Sequence, residues 1–168
     1  MSVPYIVLLD LDDTVFKAAW RDRFKPCADG VTVAPRLWDT YNSESIHDSV
    51  ITEMVELVRL LKRSGYEIWA VTSRPEKWRS MTRAKCHEEG IPVDTLLMRP
   101  DDETGIRSPL LKPALVVEAL VARHGPGDSS LIHRHVAFCI DDRADVAESF
   151  RALGVVVLQV HADQERVR

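Results

Sequence analysis

Tyr5-Ile6-Val7-Leu8-Leu9-Asp10-Leu11-Asp12-Asp13-Thr14 is the stretch that decides the fold. An unbroken apolar run meets three carboxylates and a hydroxyl within Asp10 to Thr14. Continuous apolar runs, as opposed to alternating ones, suit strands buried on both faces. Four further runs of this kind follow: Glu67 to Thr72, Thr95 to Met98, Val136 to Ile140 and Val155 to Val160. Helical spacing fills the intervals. Ile51, Met54, Val55, Val58 and Leu61 lie on one helix face, with Gly65 placed to end it. Pro75 is placed to open a second helix that Gly90 closes. A third spans Leu111 to His124 and stops at Gly125-Pro126-Gly127; a fourth runs from about Ala144 to Leu153, before Gly154. Strands alternating with helices predict a parallel sheet joined by right-handed crossovers. The expected fold is α/β, a Rossmann-like three-layer sandwich around a five-stranded parallel sheet.

The 168 residues, 45% hydrophobic and 29% charged, are read as a single domain able to bury a core. Phe16 to about Ser45 stands apart as polar, Pro-containing and without clear period, and long stretches of that kind are usually functional. It is read as a small flap over the active site. A formal net charge of −4 argues against wholesale charge-driven binding of nucleic acid, while leaving room for a local cationic pocket. Cys27, Cys86 and Cys139 lack the paired spacing of a zinc site, and Cys139 reads as a buried thiol. Met1 to Tyr5 lacks the basic start and cleavage site of a signal peptide, and no segment reaches the roughly 18 apolar residues of a membrane helix. A reduced, cytoplasmic protein without membrane partners is expected.

In open parallel sheets, ligands bind beyond the carboxyl ends of the strands, where strand order reverses. Three of the expected strands end in reactive groups: Asp10-Leu11-Asp12-Asp13-Thr14, Thr72-Ser73-Arg74 and Asp141-Asp142-Arg143. Aspartate is common at strand ends because it suits turns, and Asp13 alone is read that way. Asp10 and Asp141 together are not. Converging carboxylates repel each other and raise one another's pKa unless a cation is bound. Mg²⁺ suits an all-oxygen site, and no His or Cys lies near either cluster to favour zinc.

Asp10-x-Asp12-x-Thr14 after an apolar strand resembles the first motif of the haloacid dehalogenase (HAD) superfamily of phosphohydrolases. Thr72 resembles the second motif, Lys112 within Ser108 to Pro113 the third, and Asp141-Asp142 the fourth, in the family's order. The resemblance implies a HAD-like sandwich with a flap instead of a full cap domain, and a Mg²⁺-dependent phosphomonoesterase. Asp10 would attack phosphorus and form an aspartyl-phosphate. Asp12 would protonate the leaving oxygen and later deprotonate water, which asks for a raised pKa. Thr72 would bind the phosphoryl oxygens that are not transferred, and Lys112 would neutralise nucleophile and phosphate. The metal would be held by Asp10, the Asp12 main-chain carbonyl, Asp141 and Asp142.

A narrower likeness, to the 3′-phosphatase domain of phage-type polynucleotide kinase-phosphatases, lies in Gly65 to Ile68, Thr72 to Arg74, Thr82-Arg83, Leu97 to Pro100, and Asp141 to Arg143 followed by Gly154. No GxxxxGK[ST] loop of a kinase half occurs, Asp13 stands where the family usually has Gly, and Asp101 to Pro109 matches loosely. The implied substrate is a nucleotide or a polynucleotide end carrying a 3′-phosphate; a nucleotidase or small-metabolite phosphatase of the same superfamily is the alternative. Ser73 and Arg74 join Thr72 as candidate phosphate ligands, Arg74 in bidentate fashion. In the flap, Lys17, Arg21, Arg23, Lys25 and Arg36 outnumber Asp22 and Asp29, which fits a polyanionic substrate. Trp20, Trp38 and Tyr41 suit packing first and base stacking second. A receiver-like phosphoacceptor domain also uses clustered aspartates, Thr, Lys and Mg²⁺. There, however, the Lys follows all the acids, whereas Lys112 precedes Asp141.

Overall fold

The computed structural model describes residues 5–25, 38–103, 105–127 and 130–161. Its sheet has five parallel strands: β1 (Ile6–Leu9), β2 (Glu67–Pro75), β3 (Thr95–Arg99), β4 (Val136–Asp141) and β5 (Val157–Gln159). They lie in the order β3-β2-β1-β4-β5. The chain builds outward from β1 in one direction and then returns to build in the other. The reversal point is therefore at β1 and β4, where Leu9 pairs with Ile140.

The helices are α1 (Asp39–Ser43), α2 (Thr52–Arg63), α3 (Arg79–Glu88), α4 (Ser108–His124), α5 (Ser130–His135) and α6 (Ala144–Ala152). Alternate residues of β1 face opposite ways, as strand geometry requires. Val7 and Leu9 join a core with Val55 and Val58 of α2 and Cys86 of α3. Ile6 and Leu8 join a second core with Val116 and Leu120 of α4, Ile132 of α5 and Phe150 of α6. All four β1 residues are 0–1% exposed. At about 1.5–3 kcal/mol for each buried aliphatic side chain, this strand anchors both layers. No helix among the described residues is long and apolar enough to cross a membrane.

Several boundaries differ from expectation. Pro75 does not open a helix: it is the last residue of β2, paired with Arg99, and a 3₁₀ turn at Glu76–Trp78 intervenes before α3. With ψ of 149° at its φ of −62°, Pro75 is extended, which its ring permits as readily as a helix start. α4 begins at Ser108 instead of Leu111, so Lys112 sits in its second turn and not at the helix start. α5, six residues long, is too short to show a period. The segment 16–45 is not without structure: it carries a 3₁₀ helix at Ala19–Phe24, then α1, then a 3₁₀ turn at Glu44–His47. Cys27, Asp29 and Arg36 lie outside the described residues. Both ends of this insert are stitched together. Phe16 bridges Val50 in antiparallel fashion, Lys17 N donates to Ser49 O at 2.8 Å, and Ile51 N donates to Val15 O at 2.7 Å.

Candidate active site

β1 ends at Leu9, and Asp10 N still extends its ladder by donating to Ile140 O at 2.9 Å. The chain must then turn sharply. Asp13 takes a φ of +58°, the left-handed region where Gly is usual and Asp is tolerated. This accounts for Asp13 at a position where glycine is the family's habit. Its carboxylate accepts from Ala18 N at 2.8 Å and Ala19 N at 2.9 Å, so the turn-forming reading of Asp13 agrees with the geometry.

Two groups of charges stand beyond the strand ends. The first comprises Asp10, Lys112, Asp141 and Asp142. Lys112 Nζ donates to Asp10 Oδ1 at 2.5 Å and to Asp141 Oδ2 at 2.7 Å. Thr14 Oγ1 donates to Asp10 Oδ2 at 3.0 Å, and Arg143 N donates to Asp141 Oδ1 at 3.0 Å. Asp10, Lys112 and Asp141 are all buried. Burial and the neighbouring acids hold the Asp10 carboxyl well above its usual value, although Lys112 opposes them. Asp142 is pushed up to about 6, by burial first and then by Asp141. Burial works against the Lys112 ammonium, but Asp10 and Asp141 outweigh it and hold its pKa above normal. One carboxylate oxygen from each of Asp10, Asp141 and Asp142 lies within 4.8 Å of the others. Three carboxylates against one ammonium leave two negative charges uncompensated in a desolvated place. The donor set is all hard oxygen, which fits a divalent cation such as Mg²⁺.

The second group is Asp12, Arg21, Arg74 and Asp48. Arg74 grips Asp12 with two nitrogens, Nη2 to Oδ1 at 2.5 Å and Nε to Oδ2 at 3.2 Å. Arg21 Nη2 reaches the same Oδ1 at 2.5 Å. Arg21 also grips Asp48, Nε to Oδ1 at 2.9 Å and Nη2 to Oδ2 at 2.8 Å, while its Nη1 donates to Tyr41 O at 2.9 Å. Two guanidiniums here match two carboxylates. Burial would raise the Asp12 carboxyl, but Arg74 and Arg21 more than reverse it and hold it well below the carboxylate range. The expectation of a raised Asp12 pKa is thus reversed, by a pair of arginines supplied by a distant strand and by the insert.

Thr72, 1% exposed, accepts from Arg74 N at 3.2 Å through its hydroxyl, within the stretch where the β2–β3 register shifts. The Ser73 hydroxyl donates to that of Ser108 at 2.8 Å and ties the end of β2 to the start of α4. Arg74 is engaged with Asp12 instead of standing open, yet its Nη1 is buried without a hydrogen-bond partner among the described residues.

Among its described residues, the insert is less cationic at its surface than its composition suggests. Arg21 is fully buried and Lys25 pairs with Asp22 at 2.6 Å, leaving Lys17 and Arg23 exposed. Its aromatics pack on one another: Trp20 meets Phe24 edge-on with ring centres 6.1 Å apart, and Trp38 meets Tyr41 at 5.5 Å. Asp48 escaped the sequence reading entirely. It sits a few residues ahead of α2, where an acid is ordinary. In the sequence Arg21 is one cation among several in the insert, with nothing local to mark it as buried. Cys86 and Cys139 are buried free thiols.

The model of the family described as the polynucleotide kinase PNKP phosphatase domain matches residues 4–164. No curated protein matches the chain. Among solved structures, a chain of the Pnkp1/Rnl/Hen1 complex is 23% identical with a TM-score of 0.71, over 95% of this chain and 46% of that one. This chain therefore spans a little under half of that protein's length. A haloacid dehalogenase-like hydrolase from Streptococcus pneumoniae is 15% identical, TM-score 0.61, over 95% of this chain and 85% of its own. A HAD-hydrolase from Bacillus subtilis, YfnB, bound to magnesium, is 11% identical, TM-score 0.62, over 99% of this chain and 90% of its own. At these identities the structures establish a shared HAD-like fold.

Proposed function

This chain belongs to the family of polynucleotide kinase PNKP phosphatase domains, and from that premise we propose that it hydrolyses nucleotide or polynucleotide 3′-phosphates through a phosphorylated Asp10. That it is a phosphatase of HAD type follows from the family. The further reading rests above all on one observation: Asp10 is buried at the end of the central strand with one oxygen on Lys112 and the other on Thr14. Such a carboxylate is oriented and stripped of water, as a nucleophile toward phosphorus should be.

Asp10, Asp141 and Asp142 would hold Mg²⁺ with their carboxylates and Asp12 with its main-chain carbonyl, and the ion would screen the approach of an anionic nucleophile to an anionic substrate. Lys112 shares that screening. Thr72 and the unpaired Nη1 of Arg74 are the donors at hand for phosphoryl oxygens, and Ser73 would join them by giving up its hydrogen bond to Ser108. In the first half-reaction an Asp10 oxygen bonds to phosphorus, the ester P–O bond breaks, and Asp12 gives its proton to the departing oxygen. In the second, Asp12 takes a proton from water, which attacks phosphorus and releases phosphate and Asp10. The arginine-held, ionised Asp12 is the state needed for the second half. A phosphoryl dianion entering beside Asp12 draws the guanidiniums and raises its pKa for the first.

The insert around residues 16–50 acts as a flap that leaves the site open to a strand end, and the protein works in the cytoplasm. One structural neighbour is a chain of the Pnkp1/Rnl/Hen1 RNA repair complex, which supports a polynucleotide substrate. The deciding experiment is a panel of 5′- and 3′-nucleotides, 3′-phosphorylated oligonucleotides and sugar phosphates assayed with Mg²⁺. Preference in kcat/KM for the 3′-phosphorylated oligonucleotide supports the proposal. A large preference for free mononucleotides or sugar phosphates replaces it with the nucleotidase or small-metabolite reading.

A further inference from the structure

Away from the two charged clusters, α3 and the turn that leads from it into β3 enclose a cavity of about 260 Å³. Ile91, Val93 and Leu96 wall it with apolar surface. Arg83 and His87, both exposed, line it from α3, one helical turn apart. Neither makes a hydrogen bond or an ion pair among the described residues. Asp94 also borders the cavity, but its charge is answered: Lys62 Nζ donates to one oxygen at 2.5 Å and Ile68 N to the other at 2.8 Å. The cavity therefore offers apolar walls, a flat imidazole and an unpaired guanidinium. Its size, just under the roughly 300–1,000 Å³ of sites for drug-sized molecules, suits a single planar ring system. An apolar slot beside an imidazole suits a nucleobase, and a free guanidinium suits its phosphate.

We infer that this cavity is a second nucleotide subsite, holding one base of the substrate strand while Arg83 binds the adjoining phosphate. The inference rests on the polynucleotide reading given above and adds the course that the strand takes. β2 ends at the reacting edge of the sheet, and α3 leads away from that edge. Arg83 lies about 6 Å, and His87 about 12 Å, along the helix from Arg79. At the roughly 3.4 Å rise of a stacked strand, the far end of that path is about three to four nucleotides upstream of the 3′-phosphate. Cys86, which also lines the cavity, feels the charges of both Arg74 and Asp12, so the cavity backs onto the site. A free nucleotide would have this contact alone. A strand held by its 3′-phosphate presents the base at an effective concentration in the millimolar range.

The test uses 3′-phosphorylated oligonucleotides of increasing length, from the mononucleotide upward, assayed with Mg²⁺. KM should drop about tenfold once the strand reaches the cavity, the scale of one stacked base, with kcat unchanged. Removing the bases one at a time should raise KM at a single upstream position. Arg83→Gln combined with His87→Ala should abolish the drop, while the mononucleotide and p-nitrophenyl phosphate react as with the wild type. Val93→Trp, which fills the slot, should do the same, and the base-removal series needs no variant at all. A KM independent of length, a series without a sensitive position, or a drop that persists in the variants would overturn the subsite and leave the phosphatase intact. An equal loss on the 3′-mononucleotide would assign the cavity to a free nucleotide and overturn it too. A wild type that hydrolyses sugar phosphates but no 3′-phosphorylated nucleotide would instead overturn the reading beneath it.

Discussion

Two clusters of four charged side chains stand side by side at one edge of the sheet, and they solve burial differently. Asp12, Arg21, Arg74 and Asp48 balance, two guanidiniums against two carboxylates. Asp10, Lys112, Asp141 and Asp142 do not, and the strain shows in the raised pKa of Asp10 and Asp142. The balanced cluster is complete as folded. On the function proposed above, the unbalanced one would be completed by something that arrives, a cation and then a phosphoryl group. Substitutions in the second should therefore remove activity with little loss of stability, and substitutions in the first should cost stability as well.

The largest effect should come from Asp10→Asn. Turnover of p-nitrophenyl phosphate is expected to fall by about four to six orders of magnitude, as on loss of a covalent nucleophile. The thermal midpoint should hold or rise, because an acid raised by burial and by like charges is replaced with a neutral group. Near-normal turnover in a folded Asp10→Asn protein would end the covalent mechanism. Metal removal comes next. Excess chelator should abolish turnover, and Mg²⁺ should restore it better than the larger, more loosely coordinated Ca²⁺. Mg²⁺ at about 100 times its Kd should also add about 2.7 kcal/mol to unfolding stability, read by urea denaturation. Full activity in chelator would mean that the uncompensated charge has some other remedy.

Arg21→Met probes the balanced side. It leaves Asp48 buried and half-unpaired, and urea denaturation should register a loss of about 3–5 kcal/mol. A loss below about 1 kcal/mol would erase the distinction between the clusters. The smallest effect concerns Lys17 and Arg23, two exposed cations among the described residues of the insert. Lys17→Glu with Arg23→Glu should raise KM for a 3′-phosphorylated oligonucleotide several-fold at low salt and flatten its salt dependence, with p-nitrophenyl phosphate unaffected. Identical salt curves for the double variant and wild type would remove the insert from the substrate path.

The unbalanced cluster was legible in the sequence because each member sits at a fixed place relative to an element that announces itself. Asp10 and Asp141 follow apolar strands, and Lys112 stands near the start of a long amphipathic helix. The balanced cluster was half hidden. Asp12 and Arg74 belong to the same strand ends, but Arg21 lies in a short 3₁₀ helix and Asp48 just after a 3₁₀ turn, segments whose few residues carry no period. Their partnership spans 27 residues of chain. Nothing local marks such a pair, and without it the Asp12 carboxyl was read with its pKa displaced in the wrong direction. The strands erred only at their ends, where Pro75 and the short β5 lie between propensity and pairing.

The stitched base of the insert has a consequence for how this fold accepts change. Val15 to Lys17 and Ser49 to Ile51 are clasped by backbone bonds of 2.7 and 2.8 Å, so the two chain ends meet whatever lies between them. Closing a longer excursion over a base already clasped costs only about 0.6 kcal/mol of chain entropy for each doubling of length. The point just after the Asp10–Thr14 turn is thus a port: segments of very different size can be spliced there without disturbing the strands beneath.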